Sequence, residues 1–217
     1  MRRKGSLLQE LPILVVVALV VSLLIKTFLV QFFYIPSGSM ENTLQVKDRV
    51  AVNKIPFLSR NISRGDVVVF RDPAGWLPEL SDTSSNKYIA KIKTGLVAVG
   101  VLPNPAKQYL VKRVIGVAGD HIICCDKAGL LTVNGYGITE PYIFAGNKPS
   151  EMTFDVTVPK GKIWVMGDHR GASADSRYHQ EDVNKGFVPL SRVTGRVVAV
   201  IWPFKNIAYV PKIDVLK

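Results

Sequence analysis

The sequence is poor in cysteine and histidine, and this limits the chemistry open to it. Its 217 residues include two cysteines and three histidines. The cysteines, Cys124 and Cys125, are adjacent, which excludes a framework of several disulfides. No Cys or His spacing typical of a metal site is present, so we expect neither a metal nor another cofactor. Because neighbouring strand residues point to opposite faces, we expect both thiols to be free.

Charge blocks of one sign and internal repeats are also missing. The net charge is +11, with 28 Lys and Arg against 17 Asp and Glu, but the basic residues are scattered along the chain. This distribution favours an anionic membrane surface over nucleic acid as a partner. Apolar residues make up 47% of the chain, which is enough for one packed domain and a short appendage.

One long apolar run follows the first ten residues. Residues 11–25 carry no charge, Lys26 interrupts the run, and apolar residues continue to Phe33. A bilayer core needs about 20 such residues to be crossed by a helix. We therefore predict a transmembrane anchor over residues 11–33, preceded by a cytoplasmic N-terminus of residues 1–10.

The flanks of this run predict its direction. Basic residues at positions 2–4 keep the N-terminus cytoplasmic, and the aromatic residues 32–34 are typical of a membrane interface. Residues 34–217 are then extracytoplasmic. The alternative is a cleaved signal peptide, for which the small residues 37–39 have suitable spacing. The length of the apolar run and the bulky residues before the serines favour a retained anchor.

Most later segments are strand-like, and regular alternation of helix and strand is missing. Runs rich in β-branched residues predict strands at 48–55, 65–70, 109–117, 120–125, 162–168 and 194–202. Asn134-Gly135 predicts a tight hairpin turn within residues 130–139. Residues 72–108 interrupt the pattern as an insertion, with one helix predicted over 88–102. The fold class is mainly β.

The stretch YIPSGSMENTL places Ser37 and Ser39 directly after the apolar run. A serine nucleophile needs an adjacent base. Lys112, inside the apolar run YLVKRVIGV, is one candidate because burial lowers the pKa of a lysine. His169, in the stretch GDHRGASADSR, is another, although no GxSxG elbow is present. By spacing alone, Lys112 also fits an edge strand and GDHRGASADSR fits a polar turn, so these alternatives stay open.

Four blocks, taken in order, resemble the bacterial type I signal peptidases, which are membrane-bound serine endopeptidases with a Ser/Lys dyad. The blocks are PSGSM at 36–40, GDVVVF at 65–70, YLVKRVIGVAGD at 109–120 and GDHRGASADSR at 167–177. The resemblance runs from the apolar anchor to about Trp202. It implies a coiled β-sheet catalytic domain behind a single transmembrane helix, with a reduced second subdomain within residues 121–162.

The resemblance also implies roles for individual residues. Ser39 is the nucleophile and Lys112 its general base, while the Ser37 hydroxyl and the Ser39 N–H form the oxyanion hole. Ser173 hydrogen-bonds the Lys112 amine. Asp175 and Arg177 brace the loop that carries Ser173, and Asp168 pairs with Arg113. Ile35 and Val111 line small substrate pockets. Trp202 contacts lipid or supports the site.

The implied activity is removal of signal peptides from exported preproteins after an Ala-x-Ala site, at the outer face of the plasma membrane. The implied partners are those preproteins, membrane lipids and the secretion translocase. Two departures from the family pattern stand near the site. Residues 41–43 read ENT where many relatives have a Met-Pro or Glu-Pro step, and His169 replaces a common asparagine.

Two other functions stay open on the sequence. One is a related Ser/Lys peptidase that cuts itself or one dedicated partner, which turnover of an Ala-x-Ala peptide in trans would distinguish. The other is a non-catalytic, membrane-anchored β domain that binds a surface partner. Full function after Ser39→Ala would support that last reading.

Overall fold

The computed structural model describes residues 7–55, 62–78 and 108–213. Within these ranges one α-helix, α1 (Leu7–Phe28), precedes a chain of strands. The strands are β1 (Val30–Tyr34), β2 (Arg49–Asn53), β3 (Val67–Arg71), β4 (Tyr109–Val117), β5 (His121–Cys124), β6 (Leu131–Val133), β7 (Tyr136–Gly137), β8 (Phe154–Thr157), β9 (Lys162–Met166), β10 (Val188–Pro189), β11 (Val193–Trp202) and β12 (Ala208–Tyr209). The prediction of a mainly β fold is confirmed.

The larger sheet contains eight antiparallel strands in the order β1-β2-β11-β3-β4-β9-β10, with β12 paired to β11. Strand β4 lies between β3 and β9, and its residues 112–116 are all buried. A polar side chain on such a central strand must find its partners inside the protein, because an unpaired buried charge is costly. This requirement applies to Lys112 and Arg113, which are neighbours on β4.

A second, four-stranded antiparallel sheet has the order β7-β6-β5-β8. Its strands lie between His121 and Thr157, within the range 121–162 for which the sequence predicted a small second subdomain. Its apolar side chains pack around the buried Trp164 of β9. The predicted hairpin turn is confirmed, since Val133 pairs with Tyr136 and both Asn134 and Gly135 have positive φ.

The N-terminal segment differs from the span expected over residues 11–33. Helix α1 ends at Phe28, and Val30–Tyr34 forms strand β1 in register with β2. Aromatic and β-branched residues favour a strand, and the ring of Phe33 packs edge-on against Tyr109 at 5.0 Å between centroids. Across the described ranges, no helix combines the length and the apolar character needed to cross a membrane.

Cys124 and Cys125 are joined by a disulfide, so the expectation of two free thiols is wrong. That expectation assumed that both residues lie on one strand with side chains on opposite faces. Strand β5 ends at Cys124, and Cys125 is therefore not held to the alternation of the strand. Both residues contact the apolar core beneath the second sheet.

The ends of the insertion at 72–108 lie together. The Asp72 N–H donates to the carbonyl of Gln108 at 3.0 Å, and the Asp72 carboxylate accepts from the N–H groups of residues 74–77. Trp76 is buried against Phe70 of β3. The helix predicted over 88–102 lies outside the described residues.

Candidate active site

Ser39 lies on a tight turn between β1 and β2. Met40 and Leu44 flank this turn with fully buried side chains, and the Leu44 N–H donates to the Met40 carbonyl at 2.8 Å. Ile35, at the start of the turn, is buried in the same apolar cluster. Burial of these side chains fixes the turn, and it leaves Ser39 itself only 8% exposed.

The side chain of Lys112 contacts Ser39 directly. Its Nζ donates to the Ser39 Oγ at 2.5 Å, and Lys112 is 4% exposed. Burial lowers the pKa of Lys112 from 10.5 to about 8, because the charged amine loses its hydration. Asp175 and Asp168 raise this pKa by smaller amounts, and Arg177 lowers it. An amine with this pKa can accept a proton near neutral pH.

Arg113, the neighbour of Lys112 on β4, contacts the turn that carries Ser39 at Thr43. Its guanidinium donates to both Asp168 carboxylate oxygens, at 2.8 and 2.6 Å, and this pair is almost fully buried. The same side chain donates to the Thr43 hydroxyl at 3.0 Å, and that hydroxyl donates to Asp168 at 2.5 Å. Fork-shaped pairs of this kind fix geometry as well as charge. Lys112 and Arg113 thus contact residues four positions apart on one turn.

A second buried ion pair supports the loop after β9. The Asp175 carboxylate accepts from the Arg177 guanidinium at 2.8 and 2.9 Å, and both side chains are fully buried. Asp175 also accepts from the Gly167 N–H at 2.9 Å, and Arg177 donates to the Arg170 carbonyl. The stretch GDHRGASADSR therefore forms a buried polar network, not a solvated turn.

Ser173 lies near Ser39 but lacks the hydrogen bond expected of it. Its Oγ is buried and, within the described part of the chain, has no hydrogen-bond partner. The prediction that Ser173 hydrogen-bonds the Lys112 amine is therefore wrong for this structure. The Lys112 amine instead donates its hydrogen bond to the Ser39 hydroxyl. A Cβ atom built on Gly167 would lie 2.2 Å from the Ser173 Oγ and 2.5 Å from the Ser39 carbonyl oxygen, so the two serines lie on one side of Gly167.

The remaining residues predicted for the site differ in their surroundings. Ile35 and Val111 pack in one apolar cluster, with Ile35 buried and Val111 partly buried. Ser37 is exposed. Trp202, at the end of β11, is 44% exposed and packs edge-on against Phe204 at 4.6 Å.

Each of the three histidines has another neighbour. His169 lies 3.0 Å from the Glu41 carboxylate, His121 lies 2.5 Å from Asp155, and His179 stacks on Trp76 at 4.4 Å between ring centroids. Among the hydrogen bonds of the described residues, only Lys112 donates to the Ser39 hydroxyl. The geometry therefore does not support His169 as the base for Ser39, because the His169 side chain makes no hydrogen bond to the Ser39 hydroxyl.

Sequence reasoning missed two residues of the site. Thr43 bridges Arg113 and Asp168, and Tyr142 places its ring 4.0 Å from the Arg113 guanidinium carbon. Neither has a local signal, because each acts through partners far away in the sequence, 70 and 125 positions in the case of Thr43, that only the fold brings near. Among the described residues, no group of three or more His, Cys, Asp or Glu side chains could hold a metal ion.

The chain is similar to proteins of a known family. Residues 8–202 match the family described as signal peptidase, peptidase S26. A probable signal peptidase I of Mycobacterium leprae is 38% identical, with 93% of this chain and 78% of that protein covered. Signal peptidase I of Bacillus amyloliquefaciens is 30% identical, with 94% and 91% covered.

A crystal structure of a signal peptidase I from Enterococcus faecalis is similar with a TM-score of 0.38 and 23% identity, covering 62% of this chain and 95% of that one. The family match spans most of the chain. The chain also covers 78% and 91% of the two relatives named above. The chain therefore belongs to the signal peptidases of the peptidase S26 family, which are serine endopeptidases.

Proposed function

We propose that this protein removes signal peptides from exported preproteins with Ser39 as nucleophile and Lys112 as general base. The observation that carries the proposal is the 2.5 Å hydrogen bond between Lys112 Nζ and Ser39 Oγ. Both side chains are buried, and burial lowers the pKa of Lys112 to about 8. A hydroxyl beside a base that can be neutral at working pH meets the requirement for an activated serine.

In the first step the neutral Lys112 amine accepts the Ser39 proton while Oγ bonds to the scissile carbonyl carbon. The carbonyl oxygen takes the electron pair and becomes an oxyanion. The Ser37 hydroxyl and the Ser39 N–H are the donors that we propose for it, and removing one such donor typically costs about 3–4 kcal/mol of barrier. The Lys112 ammonium then gives its proton to the leaving nitrogen as the C–N bond breaks.

The second step releases the product. A water molecule attacks the acyl-enzyme ester, Lys112 accepts one of its protons, and the proton then returns to the Ser39 oxygen as the ester bond breaks. The carboxylates of Asp175 and Asp168 favour the charged amine, so the ammonium formed in each step is not left unbalanced. Arg113 pairs with Asp168 and Arg177 pairs with Asp175, and these ion pairs hold the two carboxylates in place.

The apolar surroundings of the dyad favour small substrate side chains. Ile35 and Val111 belong to one packed apolar cluster. We propose that they line the substrate pocket, where close-packed walls leave little room for a bulky group. We infer that they select Ala-like residues at the first and third positions before the cut. Cleavage then follows an Ala-x-Ala sequence.

We infer a membrane location from helix α1. Its side chains from Leu11 to Val21 include large apolar groups with exposed fractions between 47% and 65%, an arrangement that is stable against lipid but not against water. The basic residues 2–4 then keep the N-terminus cytoplasmic, and the catalytic domain lies outside. Membrane lipids and the secretion translocase, which delivers preproteins to the same surface, are the partners of this arrangement.

The proposal is tested with full-length protein in detergent and lipid and a membrane-inserted preprotein that carries an Ala-x-Ala site. We expect the wild type to cut after the second alanine, and Ser39→Ala and Lys112→Ala to be inactive. Retention of activity in Lys112→Ala together with its loss in His169→Ala would overturn the dyad. Absence of any turnover in trans by the wild type would instead favour a self-processing peptidase or a binding domain.

A further inference from the structure

Glu41 and His169 meet beside the nucleophile. The two residues are 128 positions apart in the sequence. In the structure the His169 Nδ1 lies 3.0 Å from a Glu41 carboxylate oxygen. A carboxylate only accepts hydrogen bonds, so Nδ1 carries the proton of this bond. The two side chains are 21% and 29% exposed, which places the pair at the edge of the site, not in open solvent.

The Glu41 carboxylate folds back over Gly38, the residue between Ser37 and Ser39. A Cβ atom built on Gly38 would lie 2.8 Å from the Glu41 carboxyl carbon and 2.9 and 3.0 Å from its oxygens. The Glu41 N–H also donates to the Gly38 carbonyl at 3.0 Å. The carboxylate is therefore in contact with the backbone that carries the nucleophile.

His169 is fixed on two further sides. Its ring stacks on Phe144, with 4.1 Å between the centroids and 16° between the planes. Its backbone N–H donates to the Ser39 carbonyl at 3.1 Å. One residue thus contacts the nucleophile through its backbone and the neighbouring carboxylate through its ring.

The position of this carboxylate matters for the reaction. In the proposed mechanism an oxyanion forms between donors from Ser37 and Ser39, on either side of Gly38. A negative group next to a developing negative charge opposes it, because like charges repel most strongly where water is excluded. The imidazole N–H donates a hydrogen bond to the Glu41 carboxylate, which holds the carboxylate in one place and stabilises its negative charge.

We propose that His169 and Glu41 form a positioning pair, which fixes the nucleophile turn and weakens the repulsion between the Glu41 carboxylate and the oxyanion. The inference rests on the proposed function, with Ser39 as nucleophile. Neither residue exchanges a proton with substrate. The pair acts through the turn and through its charge, so its loss changes the rate of the chemical step more than substrate binding.

The test measures kcat and KM for cleavage of the same Ala-x-Ala preprotein by three full-length variants. His169→Phe keeps the aromatic ring stacked on Phe144 and keeps the backbone N–H, but it releases the Glu41 carboxylate. We expect kcat to fall about tenfold with KM within about twofold of wild type. Adding Glu41→Gln to His169→Phe removes the released charge, and we expect it to restore most of the lost kcat.

His121→Phe is the matched control. It removes a second imidazole–carboxylate pair, formed with Asp155 on the second sheet and exposed to solvent. We expect its kcat to equal that of wild type. A general effect of losing such a pair would lower both variants equally, and that result would overturn the proposal.

Two further results would also overturn it: wild-type kcat in His169→Phe, or a double variant as slow as His169→Phe alone. If thermal unfolding shows that His169→Phe does not fold, His169→Leu takes its place with the same expectations, because leucine has no hydrogen-bond donor to hold the Glu41 carboxylate. Failure of the proposed function is distinguished by Ser39→Ala. Activity in that variant rejects the mechanism itself, whereas Ser39-dependent cleavage with unchanged kcat in the His169 variants rejects only the pair.

Discussion

The carbonyl oxygen of Ser39 and the Cα of Gly167 are in such close contact that a Cβ atom on Gly167 would lie 2.5 Å from that oxygen. The obstruction is backbone, which cannot rotate away, and the Ser173 side chain blocks the same space. Ser39, the proposed nucleophile, and the loop after β9 are thus placed against each other through a glycine.

We therefore expect Gly167→Ala to lose cleavage activity by at least about a hundredfold, because a small displacement of a reacting group has an effect of this size. Gly171→Ala is the control in the same loop, since its nearest neighbour, Asn147, would lie 3.6 Å away in ordinary contact. Cleavage rates of both purified variants, with thermal unfolding to establish that they fold, test the expectation. Equal activity of the two variants would contradict it.

Lys112→Arg keeps the positive charge but loses the base. Arginine does not deprotonate at working pH, so it cannot accept the Ser39 proton. We expect kcat/KM to fall by about 10²–10⁴, the usual contribution of general base catalysis. Lys162→Arg, on β9 and outside the site, is the matched control. A Lys112→Arg variant with a rate near that of wild type would rule out the general-base role.

The rate should depend on pH through the same lysine. The pKa of Lys112 is about 8, and only the neutral amine accepts a proton. We expect kcat/KM to rise about tenfold per pH unit below pH 8 and to level off above it. The profile is measured with one peptide substrate from pH 6 to pH 10. A flat profile over that range is incompatible with Lys112 as base.

The strands of the larger sheet were largely predictable, because their β-branched runs are bounded by Gly, Asp or Pro. β4 begins and ends at the predicted residues, Tyr109 and Val117. β1 was missed, because its aromatic residues continue an apolar run without a break in composition. Their pairing with β2 depends on residues 15 or more positions further along the chain.

The site residues that belong to a sequence motif were predictable. The contacts between their side chains were less predictable, because packing determines them. Ser39 and Lys112 come together as the resemblance implied. The bond from Ser173 to Lys112 is not made, because the direction of the amine depends on packing around it. Glu41 and His169 were visible only as departures from a pattern, and their contact needs the fold.

Arg177 and Asp175 form a buried ion pair that should be costly to break on one side. Arg177→Met leaves the Asp175 carboxylate buried without its guanidinium partner. We expect the free energy of unfolding to fall by about 3–5 kcal/mol, because an uncompensated charge remains inside the protein. Urea unfolding in detergent measures this loss. Arg192→Met, at an exposed position, is the control and should change the stability little.

Lys112 should lower the stability of the fold near neutral pH. Its pKa falls from 10.5 to about 8 on folding, so between these values the unfolded chain binds a proton that the folded protein does not. Stability therefore rises as the pH goes from 8 to 10.5, and below pH 8 the folded state carries the full cost of a buried ammonium group. A difference of about 2.5 pKa units corresponds to about 3 kcal/mol.

We expect Lys112→Met, which fills the same space without a charge, to be inactive but more stable than wild type at pH 7. Its advantage in the free energy of unfolding should shrink by about 3 kcal/mol between pH 8 and pH 10.5, where the wild-type amine is neutral in both states. Urea unfolding of both proteins across this range measures the difference, and groups that titrate equally in the two proteins cancel. If the difference in the free energy of unfolding stays constant with pH, the Lys112 amine is not desolvated, contrary to what its buried position beside Ser39 indicates. A shrinking difference would mean that burial of the Lys112 amine, which the proposed reaction needs as a base, lowers the stability of the fold.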